Sequence, residues 1–382
     1  MTSELSSLCS YAKGKVSVDT LSKRNYVSTE NMMPNKGGIV DAGALPSAQY
    51  TQQYIKDDIL VSNIRPYFKK IWMADDDGGC SNDVLVFRAD RGCDSTFLYY
   101  ILANDAFFNY ASATSKGTKM PRGDKTAIMQ YKVPCFNYET QLRIGKLLRS
   151  IDDRIAVNKK INDNLEQQAQ SYFQELFVDN ADPEWTTGTI SDLGAVVGGS
   201  TPSKAKPEYY TESGIAWITP KDLSINKSKF VSHGENDITE LGLKNSSAAI
   251  MPEGTVLFSS RAPIGYIAIA AGEVTTNQGF KSVVPKPEIG TPFVYFFLKN
   301  TLPVIEGMAS GSTFKEVSGS TMKNVPAVIP DAETLAKFSD FCAPIFAQQR
   351  ILEEQNQSLA TLRDNLLPKL MSGEIDVSAV QL

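Results

Sequence analysis

Residues 148–176 read LRSIDDRIAVNKKINDNLEQQAQSYFQEL, and within them Leu148, Ile151, Ile155, Asn158, Asn162, Leu165, Ala169, Tyr172 and Leu176 alternate spacings of three and four without a break. That spacing keeps one stripe of a helix facing a partner helix, so the stretch predicts a heptad seam. A second seam of the same length occupies Cys342, Ile345, Gln349, Leu352, Asn356, Leu359, Arg363, Leu366 and Leu370, each 194 residues further on. Two equal seams in one chain are expected to bury against each other. Because a globular stretch separates them, the chain can return along the first helix, and the expected pairing is antiparallel. Asn162 and Asn356 are the central residues of their seams, and antiparallel packing middle to middle predicts that they lie in the same or an adjacent core layer, where their amides could bond each other or a shared water.

The duplication extends outward from the helices. Asp58-Ile59-Leu60-Val61-Ser62 is answered by Gly254-Thr255-Val256-Leu257-Phe258-Ser259, and each run leads to Arg65-Pro66 or Arg261-Ala262-Pro263. Thr96 to Leu102 is answered by Pro292 to Leu298, Tyr26-Val27 by Trp217-Ile218, Ser81-Asn82-Asp83 by Thr276-Asn277-Gln278, and Val133-Pro134 by Val325-Pro326. The common order and near-constant offset mark a repeat as long as a whole domain, not a solenoid. Each globular part consists of short apolar runs broken by Gly, Pro, Asn and Ser, the pattern of a sheet-rich domain. Ala216 to Ile218, Thr255 to Phe258, Tyr266 to Ala270 and Ser282 to Val284 are the clearest strands, while Phe97 to Phe108 and Phe293 to Ile305 read as helices. The expected class is α+β: two similar sheet-rich domains separated by two long helices that form an antiparallel coiled coil. The partition is 1–140, first domain; 141–178, first spacer helix; 179–332, second domain; 333–382, second spacer helix and tail.

Composition excludes several classes. No run of about 18 apolar residues is present to span a bilayer and no charged-then-apolar leader for export, so no membrane role and a cytoplasmic location are expected. Cys9, Cys80, Cys93, Cys135 and Cys342 are scattered and odd in number, which fits free thiols. The one histidine, His233, cannot build a multi-histidine metal or catalytic site. The chain has no Asn/Asp-Pro-Pro-aromatic motif, no Gly-x-Gly-x-x-Gly loop and no Walker loop. Asp331, Glu333 and Lys337 have a nuclease-like flavour but open the second long helix, where an acidic first turn is the simpler reading.

The net charge of −5 advertises no polyanion partner globally, so a nucleic-acid reading rests on local clusters. Arg65 and Lys69 flank Pro66 and Tyr67, and Lys116, Lys119 and Arg122 punctuate a Gly/Ser/Thr-rich loop. In the second half Lys204, Lys206 and Lys221 decorate a polar stretch, and Arg261, Lys281 and Lys315 lie near its strands. A solvated basic face explains any one cluster; recurrence at comparable places in both repeats favours binding. Asn277 and Gln278 suit both base reading and bracing a turn, and the sequence leaves that choice open.

The closing run Leu366-Leu367-Pro368-Lys369-Leu370-Met371-Ser372-Gly373-Glu374-Ile375 resembles the specificity subunit of type I restriction-modification enzymes. Gly199-Ser200-Thr201-Pro202-Ser203, Trp217 to Leu223, Thr276 to Gly279 and Asn63 to Tyr67 carry the same resemblance, which covers essentially the whole chain. It departs only at the first domain's edge, where Trp185 has no counterpart. The resemblance implies two target recognition domains, each reading one half of a bipartite site in double-stranded DNA. It also implies helices that dock methyltransferase subunits, two in number, with restriction/translocase subunits in the full complex. No catalytic residue, metal or cofactor belongs to this chain on that reading, S-adenosylmethionine being held by the methyltransferase partners. The thirteen basic and amide residues named above are the expected DNA contacts, with bases and phosphates divided between them. A seam of about 43 Å at 1.5 Å per residue would space the half-sites roughly 13 base pairs apart. Two other readings stay open, a self-contained methylating or cleaving enzyme and a coiled-coil scaffold that never meets DNA. The missing motifs weigh against the first and the recurring basic loops against the second.

Overall fold

The computed structural model describes residues 2–311 and 315–378. Contacts divide the chain into two compact units, Met1–Ile155 with Gln357–Leu382, and Ala156–Asn356. This division cuts through both long helices, Tyr138–Gln174 and Ala332–Ser372, because each contributes one part to each core.

In the first unit Thr2–Glu4 pairs antiparallel with Lys132–Pro134, closing the domain just before the long helix begins. A four-stranded antiparallel sheet has the order Cys9–Tyr11, Val84–Ala89, Ile59–Ser62, Ile71–Met73. Its central strands are apolar on both faces because they separate two cores. With a side-chain period of two, Ile59, Val61, Leu85 and Phe87 point to the helix-side core, while Leu60, Val84 and Val86 point to a second cluster with Val27, Tyr54 and Cys80. The expected helix over Phe97–Phe108 is two helices, Ser95–Ala103 and Asp105–Ala113. Asn104 breaks it by adopting extended backbone and accepting a hydrogen bond from the Ala106 N–H, a capping role that competes with helix continuation.

The second unit repeats the design. Thr186–Thr189 pairs with Pro326–Ile329, and a five-stranded sheet runs Gly194–Gly198, Lys281–Pro285, Val256–Ser260, Ile264–Ala270, Phe230–Val231. Val256, Phe258 and Ile269 face the helix-side core, and Leu257, Ala268 and Ala270 face the other. A short parallel pair, Trp217–Ile218 with Thr275–Thr276, corresponds to Tyr26–Val27 with Gly78–Cys80 in the first domain.

Within each unit the long helices run antiparallel. In the first unit Ile144 and Leu148 share a core with Leu367 and Leu370, and Arg363 donates to Asp152 at 2.6 Å. In the second, Phe173 packs on Phe338, and Asn162 and Gln349 exchange side-chain-to-backbone hydrogen bonds at 3.3 and 3.2 Å. All eighteen seam positions are buried or half-buried. Asn356 accepts the Asn158 amide at 2.9 Å, one turn before Asn162, so Asn162 and Asn356 lie in adjacent layers and do not bond each other. Asn158 is wholly buried. Replacing Asn356 by leucine therefore strands a buried amide and is expected to cost about 1 to 3 kcal/mol, whereas leucine at both positions restores most of the loss. Urea unfolding of the two variants checks this, and equal stabilities would contradict it.

A polar cluster pins the second domain to its helices. The Lys229 ammonium, from the strand-leading loop, contacts Glu166 of the first long helix at 2.8 Å and Gln349 of the second at 2.9 Å. It lies 3.5 Å from the centre of the Phe346 ring and 4.5 Å from that of Tyr295. Lys299 contacts the other Glu166 oxygen at 2.5 Å, and both Glu353 oxygens accept backbone N–H bonds from Lys229 and Phe230. Burial raises the Glu166 carboxyl, but Lys229 and Lys299 outweigh it and hold the group at about 2. For Lys229 burial wins, bringing the ammonium down to about 8 in spite of Glu166.

Candidate nucleic-acid interface

In the first domain two loops are stitched together by backbone. Arg122 bridges both Ile64 and Lys116, the Arg65 N–H donates to the Pro121 carbonyl at 2.8 Å, and the Gly123 N–H donates to the Asn63 carbonyl at 3.1 Å. Arg65, Lys69, Lys116 and Arg122 are thereby gathered on adjoining loops, with Lys119 exposed between Lys116 and Arg122. Sequence reasoning missed Lys36, whose ammonium shares the Asp105 carboxylate with Lys69, at 2.9 and 2.8 Å. The Gly37-Gly38 pair beside Lys36 was the available turn signal.

These cations are held, not loose. Lys116 pairs with Asp124 and Arg122 with Asp83 at 3.0 Å, so three carboxylates serve four of the six cations, Lys36, Lys69, Lys116 and Arg122. The Asp124 carboxyl lies below its ordinary range because Lys116 and the Ala127 and Thr126 N–H groups bond to it. Burial raises the Asp105 carboxyl, but its bonds to Lys69 and Lys36 overcome that and leave it lowered. Exposed ion pairs of this kind contribute little in water, so a phosphate can displace an aspartate at small cost.

The second domain presents a cleft of about 670 Å³ that brings together Lys204, Lys221, Arg261, Asn277 and Gln278. One wall is Trp217, whose indole N–H donates to the Ser200 carbonyl at 3.0 Å and whose ring meets Tyr210 at 5.6 Å. Lys221 lies in the first turn of the helix Pro220–Ile225, which is capped by Thr219 and Asp222. Its ammonium pairs with Glu235, which raises it above the ordinary lysine range. Arg261 and Lys281 share Glu316 at 3.5 and 3.8 Å. Burial lowers the Lys281 ammonium, against the opposing pull of Glu316. Lys206, Lys281 and Lys315 do not line the cleft; Lys206 pairs with Glu208 at 3.7 Å, and Lys315 is exposed beside Glu316.

The two amides left open by the sequence have definite partners. The Asn277 side-chain oxygen accepts the Gly279 N–H at 2.8 Å, bracing the turn, and the Gln278 oxygen accepts from the Thr201 hydroxyl. Thr201, Tyr210 and Trp217 went unassigned in the sequence, although the Gly199–Ser203 and Trp217–Leu223 motifs contain two of them. Among the described residues no group of His, Cys, Asp or Glu could hold a metal ion, and no helix is long and apolar enough to cross a membrane. His233 stands in an exposed loop 3.1 Å from Asp237. Asp331 accepts the Thr334 N–H at 2.9 Å and its hydroxyl at 2.8 Å, so it caps the second long helix.

A sequence model of the type I restriction modification DNA specificity domain matches this chain twice, over residues 1–167 and 183–362. The chain belongs to that family. Over 194 residues it is 39% identical to the type I restriction enzyme MjaIX specificity subunit of Methanocaldococcus jannaschii, a match covering 48% of this chain and 45% of that relative, under half its length. The HindI specificity subunit of Haemophilus influenzae is 24% identical with 92% of this chain and 94% of the relative covered. The crystal structure of the type I restriction-modification S subunit from M. genitalium shares the fold, with a TM-score of 0.61, 18% identity, and 97% of this chain and 96% of that one covered. Both of these named relatives are specificity subunits, and the two matched segments of the family coincide with the two repeats.

Proposed function

We propose that this DNA specificity chain reads a bipartite site in double-stranded DNA, one half-site per domain, and is itself non-catalytic. The observation that carries this reading is the recurrence, in both repeats, of basic side chains on loops that follow equivalent strands, Ile59–Ser62 with Arg65 and Val256–Ser260 with Arg261. In the first domain Arg65, Lys69, Lys116, Lys119 and Arg122 take the DNA, joined by Lys36. In the second, Lys204, Lys221 and Arg261 line the cleft, with Lys206, Lys281 and Lys315 beside it. Asn277 and Gln278 present amide groups at the cleft wall to base edges.

The helix pair docks two methyltransferase subunits and sets half-site spacing. Exposed Val157 and Ile161 on the first long helix and Ile351 on the second support docking, since aliphatic side chains without cover are what a partner would bury. S-adenosylmethionine then belongs to those partners, and restriction/translocase subunits join the full complex in the cytoplasm.

The test replaces Lys116, Lys119 and Arg122 together by glutamine in the chain assembled with its methyltransferase subunits. Each lost phosphate contact should flatten the slope of log affinity against log salt by roughly 0.9, so three contacts should remove nearly 3 from it. An unchanged slope would place the interface elsewhere.

A further inference from the structure

The loop that carries Arg65 ends in two uncovered aromatic rings. Tyr67 is 51% exposed and Phe68 39%, and they pack edge to face with centroids 4.8 Å apart. Together they form an apolar point on an otherwise polar, basic loop. The loop is also held with unusual firmness. Arg65 and Lys69, on either side of the short helical turn Pro66–Phe68, have φ of 49° and 51°, and Asn35 and Lys36 in the neighbouring loop have φ of 55° and 61°. Left-handed backbone is unfavourable for side-chain-bearing residues, and here four of the six such residues among those described meet at one point. They hold each other: the Asn35 N–H donates to the Phe68 carbonyl and the Lys36 N–H to the Lys69 carbonyl, both at 2.8 Å. The Arg65 N–H is tied to Pro121 at 2.8 Å, and the Ser62 N–H to the Lys70 carbonyl at 3.1 Å. Strain of this kind persists where the surroundings over-determine it, and it collects at ligand clamps.

Charge surrounds the rings. The Arg65 guanidinium and the Lys70 ammonium each lie 6.0 Å from the centre of the Phe68 ring, and Lys36 and Lys69 follow on the same loops. The turn therefore offers a stiff aromatic point ringed by cations. Cations anchor phosphates on both sides of a step while an aromatic or apolar side chain enters between the bases, which is how rigid wedges deform a duplex. At the corresponding turn of the second domain, between Arg261 and Ile264, the described residues are Ala262 and Pro263, both exposed and neither aromatic.

We propose that Tyr67, backed by Phe68, is a wedge that unstacks one base step of the half-site read by the first domain. The inference rests on the first domain being a half-site reader. The preformed loop makes the insertion inexpensive in conformational entropy, and the choice of step becomes a source of sequence preference, because steps differ in the ease with which they open.

The experiment uses the chain assembled with its methyltransferase subunits and a set of duplexes in which 2-aminopurine is moved along both half-sites. With the unaltered chain, fluorescence should rise several-fold at one step of the first half-site, separate from any signal at the methylated adenine. Tyr67→Ala with Phe68→Ala should abolish that rise and weaken binding about ten-fold at unchanged salt slope, while leaving the signal at the methylated base. Tyr67→Phe should retain it. Both rings are exposed, so the variants are expected to fold, and an unchanged circular dichroism melt verifies this. A rise that survives the double alanine change, or no rise at any first-half step, overturns the wedge. If the glutamine substitutions at Lys116, Lys119 and Arg122 still flatten the salt slope in that case, the half-site reading stands without the wedge; if they too have no effect, the reading itself falls.

Discussion

Glu166→Gln should destabilise the second unit by about 3 kcal/mol or more at pH 7. The reason is the neighbour it leaves. Lys229 has only 6% of its side chain exposed, and its charge is satisfied by Glu166, by Gln349 and by the faces of Phe346 and Tyr295. Removing one member of a buried pair costs more than the pair contributes, because the other charge remains out of water. Glutamine preserves the shape, so the loss reports charge. The pH dependence has two limbs. The Glu166 carboxyl lies at about 2 in the folded chain against 4.5 ordinarily, so its contribution is complete above pH 4.5 and disappears as the pH falls through 2. The Lys229 ammonium is lowered from 10.5 to about 8, so the unfolded chain binds the extra proton between those values and stability rises with pH there. Without Glu166 that lysine falls further, and the variant's deficit should shrink once the lysine is neutral. Urea unfolding at pH 7 and pH 9.5 measures this. A deficit below 1 kcal/mol, or one unchanged between the two pH values, would show that the cluster does not carry the charge pairing described.

The spacing of the seams was legible because burial on a helix obeys a period that any sequence displays. Their stagger was not. Counting positions placed Asn162 and Asn356 in the same or an adjacent layer without choosing between them, because a seam fixes only which face is buried. Lys229 reaches both helices from a loop 63 residues beyond Glu166 and 120 before Gln349, and Asn158 becomes the partner of Asn356. The basic clusters were legible as cations and not as ion pairs. Lys69 meets Asp105, Arg122 meets Asp83 and Arg261 meets Glu316 only after strands and loops have been folded together. The strained backbone at Lys36, Arg65 and Lys69 could not be read from these residues themselves, since lysine and arginine carry no preference for positive φ and only the fold imposes it on them.

Exchanging residues 1–137 for the first domain of another member of the family should replace one half of the recognised DNA sequence completely and leave the other half as it was. The cut is chosen by the chain's own closure. Thr2–Glu4 pairs with Lys132–Pro134, so the domain's ends already meet, and the long helix starts at Tyr138. What must be retained is the core beneath. Phe97, Leu98 and Ile101 share it with Ile144 and Leu148 of the helix and with Leu367, Leu370 and Val377 from the end of the chain. Gln141, itself buried, accepts the Asp94 N–H at 3.1 Å and donates to the Phe136 carbonyl at 2.9 Å. A donor domain with apolar residues at positions 97, 98 and 101 and an N-capping residue at 94 meets those demands, while its loops at 63–70 and 116–122 arrive with their own base contacts. The cleft of the second domain, with Lys204, Lys221, Arg261, Asn277 and Gln278, draws no residue from the exchanged segment. Its half-site should therefore be unaffected. Sequencing of methylated genomic DNA from cells carrying the chimera with its methyltransferase subunits gives the answer, and a chimera that changes both halves, or neither, would mean that the two repeats do not read independently.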